Sequence, residues 1–186
     1  MRVVMIMGSR NPSGQTAMAA DALREGARQA GVEVEQTFLP VLAVERCRQC
    51  EDDGWGLCRK EGRCTIEDDF AGVVEKIRDA DAVVFATPVY FGDLSESLRA
   101  LCDRLRRITR HAAGQAGIQG KPAVGVCVAG GGGGGAPACC ASLEKVIATC
   151  GFDVVDMIPV RRQNLKAKLP RLRLAGEWLA ERPRSA

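Results

Sequence analysis

Residues 1–31 read MRVVMIMGSRNPSGQTAMAADALREGARQAG, and the order of events in that stretch decides the fold. The run RVVMIM (2–7) is almost wholly apolar and is bounded by Gly8, the pattern of a strand buried on both faces of a parallel sheet. GSRNPSGQT (8–16) is a glycine-containing turn. From Gln15 to Ala30 apolar residues recur at helical spacing, and Gly31 stands where a left-handed residue ends a helix. Strand, turn and helix in immediate succession open a βαβ unit.

Outward from that unit the alternation continues. VEVEQTF (32–38) alternates like a half-buried edge strand, and a cysteine-rich loop without periodicity fills 45–65. Thr65 and Asp68 predict a capping box for a helix running to Arg78, followed by the strand DAVVFATP (81–88). A helix from Leu94 to Ile108 places Leu94, Leu98, Leu101, Cys102, Leu105 and Ile108 on one stripe, and PAVGVCVAG (122–130) is a further strand. A helix from Pro137 to Cys150, stopped by Gly151, precedes a last strand, FDVVDM (152–157). The basic tail, 157–186, carries a predicted helix from Arg171 to Glu181. Five strands alternating with helices predict an α/β fold with a doubly wound parallel sheet. A chain of 186 residues suits one such domain, spanning 1–186.

Composition narrows the function classes. A net charge of +3 with 4% aromatic residues gives no nucleic-acid footprint. The one histidine, His111, excludes a histidine-rich metal site. With no basic leader and no long apolar segment, neither export nor membrane insertion is signalled, and a reducing cytoplasm is expected. There, nine cysteines, an odd number, are expected as thiols or metal ligands rather than paired disulfides.

A doubly wound sheet binds its ligand outside the carboxyl ends of its strands, where three loops qualify. Gly8 to Thr16 places free amides and the positive end of a helix dipole beside Ser9, Arg10, Ser13, Gly14, Gln15 and Thr16, which makes an anion site suited to phosphate. It lacks the Gly-Lys-Ser/Thr of a nucleotide-triphosphate loop. Thr87 to Asp93 (TPVYFGD) supplies a rigid proline, two aromatics and a glycine, which read either as packing or as a cradle for a flat ring. Six glycines at 130–135 let backbone lie flat against a ligand. Phosphate plus ring across three loops fits FMN better than a nucleoside triphosphate.

Cys47, Cys50, Cys58 and Cys64, spaced C-x2-C-x7-C-x5-C, let four sulfurs of one loop face a common centre. That suits an iron-sulfur cluster better than a disulfide ladder; zinc and bare redox thiols stay open as rival readings. Cys102, Cys127 and Cys150 read as small buried hydrophobes, and Cys139 and Cys140 as packing at a helix start. Arg104, Arg106, Arg107 and Arg110 crowd a helix end, read as a solvated face that could dock an acidic ferredoxin.

On these residues the chain resembles the flavodoxin-like NADPH-dependent FMN reductase superfamily, specifically its iron-sulfur flavoprotein branch. GSRNPSGQT is similar to the family's phosphate loop, TPVYFGDLSESLRALCDR to its isoalloxazine loop and following helix, and the glycine run to its third flavin loop. The resemblance implies five strands in the order 2-1-3-4-5 with helices on both faces. It implies that Ser9, Arg10, Ser13, Gln15 and Thr16 hold the phosphate, and that Pro88, Val89, Tyr90, Phe91, Gly92, Gly130 and Gly131 contact the ring. It further implies a 4Fe-4S cluster on the cysteine motif. The branch commonly spaces that motif C-x2-C-x2-C with a fourth cysteine about five residues on. Here Asp53 stands at the third place counted forward and Cys58 fits counted back, as though five residues around Glu51 to Trp55 were inserted.

The implied protein is an FMN-dependent electron-transfer oxidoreductase, a homodimer or homotetramer, passing single electrons between cluster and flavin to a small-molecule acceptor. Two other expectations stand beside it. One is an NAD(P)H-dependent FMN or quinone reductase with a structural cysteine loop, and the other a non-catalytic binding protein stabilised by zinc.

Overall fold

The computed structural model describes residues 1–181, so residues 182–186 of the expected tail lie outside the described residues. The chain runs β1 (Arg2–Met7), α1 (Gln15–Gln29), β2 (Glu33–Phe38), a short helix α2 (Leu57–Lys60), α3 (Phe70–Asp79), β3 (Ala82–Pro88) and α4 (Glu96–Ile108). It continues through one turn of helix α5 (Ala112–Gln115), β4 (Pro122–Ala129), α6 (Ala136–Thr149), β5 (Asp153–Arg161) and α7 (Leu165–Glu181). The strands form one sheet in the order β2-β1-β3-β4-β5, and every neighbouring pair is parallel. This is the expected flavodoxin-like arrangement.

Period-2 alternation of the strands divides the core between the two sheet faces. Val4, Ile6, Val83, Phe85 and Cys127 meet Phe70, Ile77, Leu101, Leu105 and Leu143 of α3, α4 and α6. Val3, Met5, Val84, Val126 and Val128 meet Ala19, Leu23, Leu172 and Leu179 of α1 and α7. Because both faces are covered, the central strands carry apolar residues without interruption. The stripe from Leu94 to Ile108 is buried at all six positions, as expected. Helix α1 ends as expected too, with Gly31 at φ +80.

Three expectations are corrected. The capping box of Thr65 and Asp68 does not form: α3 starts at Phe70, its N-cap is Asp69, and the Asp69 side chain makes no capping bond. Asp68 has a different task, described below. The last strand runs on to Arg161, because Ile158 and Val160 continue the ladder opposite Val126 and Val128. Pro159 does not stop it, since an edge strand tolerates a residue without N–H. Helix α7 begins at Leu165, six residues before Arg171, and contains Pro170. What holds it is α1, which it crosses at backbone contact: a Cβ at Gly176 would lie 2.0 Å from the Leu23 carbonyl oxygen, and one at Gly26 2.0 Å from that of Arg173.

The order 2-1-3-4-5 sends the chain outward from β1 to β2 and then back across β1 to β3. Loops after β1 and β3 therefore diverge at the carboxyl edge, which opens a crevice there. The cysteine-rich segment leaves β2 at that same edge.

Candidate functional site

The crevice begins where β1 ends. Gly8 extends the ladder, its amide donating to the Ala86 carbonyl (2.8 Å). A side chain there would run into Ser95, with a Cβ 2.5 Å from its Oγ. Asn11 shapes the following turn: its Oδ1 accepts from the Ser13 amide (2.9 Å) and its carbonyl from the Gly14 amide (3.3 Å). Helix α1 then starts from Gly14 with no side-chain cap and no acidic residue in its first turn. Its first amides and its dipole are left for an anion. The Gln15 Oε1 atom is buried and without a hydrogen-bond partner, an orphan that a ligand donor would satisfy.

The second wall is the loop after β3. Tyr90 and Asp93 exchange backbone hydrogen bonds (3.0 and 2.9 Å) around a two-residue turn in which Phe91 and Gly92 take φ of +51 and +76. Asp93 fastens that turn to α4 and α6: its Oδ1 accepts from the Leu94 amide (2.8 Å), Ser142 Oγ (2.7 Å) and Arg99. Burial alone would raise the Asp93 pKa, but the bonds from Arg99, Ser142 and the Leu94 amide outweigh it and hold the carboxyl below its ordinary value. Tyr90 is half exposed and Phe91 fully so, so neither is core and the packing reading of this loop falls.

The third wall is the glycine run. A Cβ at Gly130, Gly131, Gly132 or Gly134 would meet nothing within 4 Å, so this backbone faces open space. Gly135 (φ +81) lets the run touch the second loop, since a Cβ there would lie 2.9 Å from the Gly92 Cα. From beyond β5, Gln163 latches the run by donating to the Gly132 carbonyl (3.1 Å). Together the walls enclose a cavity of about 490 Å³, lined by Gln15 and Thr16, by Pro88 to Tyr90, and by Val128 to Gly134. That volume lies within the range of small-molecule cofactor sites. Of the expected contacts, Gln15, Thr16, Pro88, Val89, Tyr90, Gly130 and Gly131 line it. Ser9, Arg10, Ser13 and Gly14 lie in the turn before α1, while Phe91 and Gly92 form the turn beyond Tyr90 and do not line it. Gly132 to Gly134, part of the expected glycine run, line it as well, and Asn11 and Gln163 are additions that sequence reasoning missed. The Asn-Pro dipeptide was the available signal for the first. An uncapped helix start, an orphaned acceptor and a bare backbone wall around one cavity are features that fit FMN.

Cys47, Cys50, Cys58 and Cys64 all line a second cavity, together with Arg104 and Arg107. All four are free thiols; Cys50 is exposed and the other three half-buried. Cys50 Sγ and Thr65 Oγ1 lie 3.5 Å apart, and Gly56 brings the start of α2 against Cys50. Among the described residues no three His, Cys, Asp or Glu side chains are arranged to hold a metal ion. A polynuclear cluster asks for something else, one thiolate per iron around a shared space. The four free thiols that line this cavity of about 20 Å³, beside two arginines, are the donor types such an anionic group takes.

The arginines correct an expectation. Arg104 is not on a solvated face but 1% exposed. Its guanidinium pairs both oxygens of Asp68 (2.6 and 2.9 Å), donates to the Glu45 carbonyl (3.1 Å) and Cys64 Sγ (3.3 Å), and covers the Phe70 ring at 4.1 Å. Arg107 covers Trp55 at 4.1 Å and donates to the Gly54 carbonyl, clasping the extra residues of the cysteine loop. Only Arg106 and Arg110 keep the expected outward position, Arg106 paired with Asp103 at 3.2 Å. The ends of the loop are sewn by Asp68, which accepts from the Glu45 and Phe70 amides (2.8 and 3.1 Å), and by Asp69, which accepts from that of Ala43 (2.7 Å). Cys102, Cys127, Cys139, Cys140 and Cys150 are buried, as expected. Burial pushes the Cys102 thiol up to about 12.

A turn with free helix amides, a cavity of cofactor size and this sheet order define a protein of the flavodoxin-like fold class. The chain belongs to the NADPH-dependent FMN reductase family, whose description matches residues 1–165. It is 33% identical over 106 residues to an iron-sulfur flavoprotein of Methanocaldococcus jannaschii, covering 57% of this chain and 52% of that protein. It is 34% identical over 104 residues to an iron-sulfur flavoprotein of Methanosarcina thermophila, covering 56% and 52%. The chain thus aligns with about half the length of these relatives. In structure it is similar to the NAD(P)H:quinone oxidoreductase from Methanothermobacter marburgensis, with a TM-score of 0.71, 21% identity and coverage of 100% and 99%, which shows the fold. No described helix is long and apolar enough to cross a membrane.

Proposed function

We propose that this chain is an electron-transfer flavoprotein that binds FMN in the crevice after β1, β3 and β4 and a 4Fe-4S cluster on Cys47, Cys50, Cys58 and Cys64. The observation that carries the reading is that four free thiols line one cavity on the segment leaving β2 at the carboxyl edge, the edge that also carries the ring-sized cavity. When bound, the two groups together supply one-electron and two-electron carrier chemistry.

The residues do the rest. Ser9, Arg10, Ser13, Gly14, Gln15 and Thr16 bind the phosphate, with the uncapped amides of α1 as principal donors. Pro88, Val89 and Tyr90 hold one side of the ring and Gly130 to Gly134 the other, excluding water. Phe91 and Gly92 turn the chain away from the ring. The fully exposed Phe91 ring beside the crevice fits a homo-oligomer in which this edge is covered. A ferredoxin or NAD(P)H serves as electron donor and a small molecule as acceptor, in a cytoplasmic setting. An NAD(P)H-dependent reductase is the second reading, favoured by the family's description.

Anaerobic purification followed by flavin, iron and acid-labile sulfide analysis tests this. About one FMN and about four irons per chain are expected. Protein that carries no flavin and takes none up overturns the proposal; flavin without iron, with NADPH consumption, selects the second reading.

A further inference from the structure

The cysteine cavity has a wall whose polarity the four thiols do not explain. Arg104 comes from the apolar stripe side of α4, and its side chain is 1% exposed. A buried guanidinium needs a counter-charge, and Asp68, 4% exposed, supplies one with a two-pronged pair. That pairing also aims the group. With Asp68 on one side, the Nη2 atom is turned toward Cys64, donating to Sγ at 3.3 Å and to the Ile66 carbonyl at 3.5 Å. Nε of Arg104 and Nε of Arg107 are buried without a partner, although both residues line the cavity. Buried donors in the wall of a cavity that four thiols also line suit a negatively charged occupant.

Resting on the cluster reading above, we propose that Arg104 is a positioning residue for the iron-sulfur centre: it fixes the Cys64 sulfur and, by its N–H donation and positive charge, raises the centre's reduction potential. Reduction adds negative charge to the cluster and its sulfurs, so a donor and a cation at one sulfur stabilise the reduced form more than the oxidised form. Asp68 binds both Nη atoms of the guanidinium and shares Nη2 with Cys64; its role is to hold the fork. Lysine cannot take over the task in full, because an ammonium lacks the planar fork that bonds Asp68 and Cys64 at once.

The test uses anaerobically purified full-length protein: wild type, Arg104→Lys, which keeps the charge, and Arg104→Gln, which keeps an N–H donor. FMN, iron and sulfide are measured per chain, and the cluster's midpoint potential is followed at its charge-transfer absorbance. Both variants are expected to keep FMN and to titrate below wild type, Arg104→Gln by about tenfold in the reduction equilibrium, about 59 mV for one electron, and Arg104→Lys by less. Variants that lose iron while keeping FMN and wild-type circular dichroism also support the positioning role. Full iron content with an unchanged midpoint overturns the inference and leaves the cluster reading intact. Loss of FMN and fold together with iron in both variants overturns it too, since Arg104 would then be a bolt in the fold only. Wild-type protein without iron or sulfide overturns the cluster reading itself and this inference with it.

Discussion

Arg104 of α4 and Asp68, two residues before α3, form a two-pronged ion pair at 2.6 and 2.9 Å with side chains 1% and 4% exposed, and this pair closes the cysteine loop onto the domain. Removing one partner leaves the other charged, buried and unpaired, which typically costs about 3–5 kcal/mol. Asp68→Ala is therefore expected to lower the urea midpoint of unfolding by an amount worth about 3 kcal/mol or more, with an unchanged slope. A shift under about 1 kcal/mol would show that the pair does not hold the loop.

The same carboxyl sets an acid limit. Burial alone raises the Asp68 pKa, but the bonds from Arg104 and from the Glu45 and Phe70 amides prevail, so the folded value lies below the ordinary 3.8. A carboxyl depressed by folding contributes stability that is complete above 3.8 and is lost as the pH falls below it, through the folded value. Wild type is expected to lose stability more steeply than Asp68→Asn over that window, measured by urea unfolding at stepped pH. Parallel curves for the two proteins would disprove the linkage.

Gly132 tests the flavin crevice without disturbing the fold. Its φ is not positive and a Cβ there meets nothing within 4 Å, so a larger residue enters open space. Gly132→Leu is expected to change unfolding free energy by no more than about 0.5 kcal/mol. It should weaken FMN binding at least about tenfold, or about 1.4 kcal/mol, because the new side chain fills the cavity. The readout is quenching of flavin fluorescence on titration with protein. Unchanged affinity would place the ring elsewhere.

How much of this was legible in the chain depends on which force set each element. β1, its turn and α1 were readable because an apolar run, a glycine turn and a 3.6-residue period are all local signals. The ends of β5 and α7 were not. Pro159 and Pro170 are local stop signals that tertiary contacts override, one on a sheet edge and one in a helix pressed against α1. Arg104 was misread as part of a charged helix end. Yet it lies three residues after Leu101 and four before Ile108, on the buried stripe, and a charge on that stripe was a signal of a buried pair. Its partner Asp68 is 36 residues away, and no local rule connects them. The four thiols were legible as a group by spacing alone, whereas the clasp of Arg107 over Trp55 and Gly54 was not.

The contact between α1 and α7 predicts a reversal of an ordinary rule. Gly to Ala inside a helix normally stabilises by up to about 1 kcal/mol. At Gly176 the added Cβ would stand 2.0 Å from the Leu23 carbonyl oxygen and 2.8 Å from the Ala27 amide nitrogen, both backbone atoms that cannot rotate away. Gly176→Ala is expected to destabilise by about 1–3 kcal/mol, seen as a lower thermal midpoint. A rise would mean that the helices do not touch there.

The last prediction separates two populations of cysteine. Cys47, Cys50, Cys58 and Cys64 line one cavity, while Cys102, Cys127, Cys139, Cys140 and Cys150 are core residues. Cys58 is the informative member, because the five residues before it that depart from the common spacing put Asp53 where a third ligand would otherwise stand. Asp53 does not line the thiol cavity; its carboxylate accepts from the Trp55 amide at 2.9 Å and lies 3.7 Å from Arg59. Cys58→Ala is accordingly expected to lose most of its iron and its charge-transfer absorbance, and Asp53→Ala to keep both. Cys102→Ala, in the core, should keep the iron and lose about 1 kcal/mol of stability. Iron and sulfide assays on the three anaerobically purified variants decide the matter. Full iron in Cys58→Ala together with loss in Asp53→Ala would assign the third ligand to the carboxylate instead.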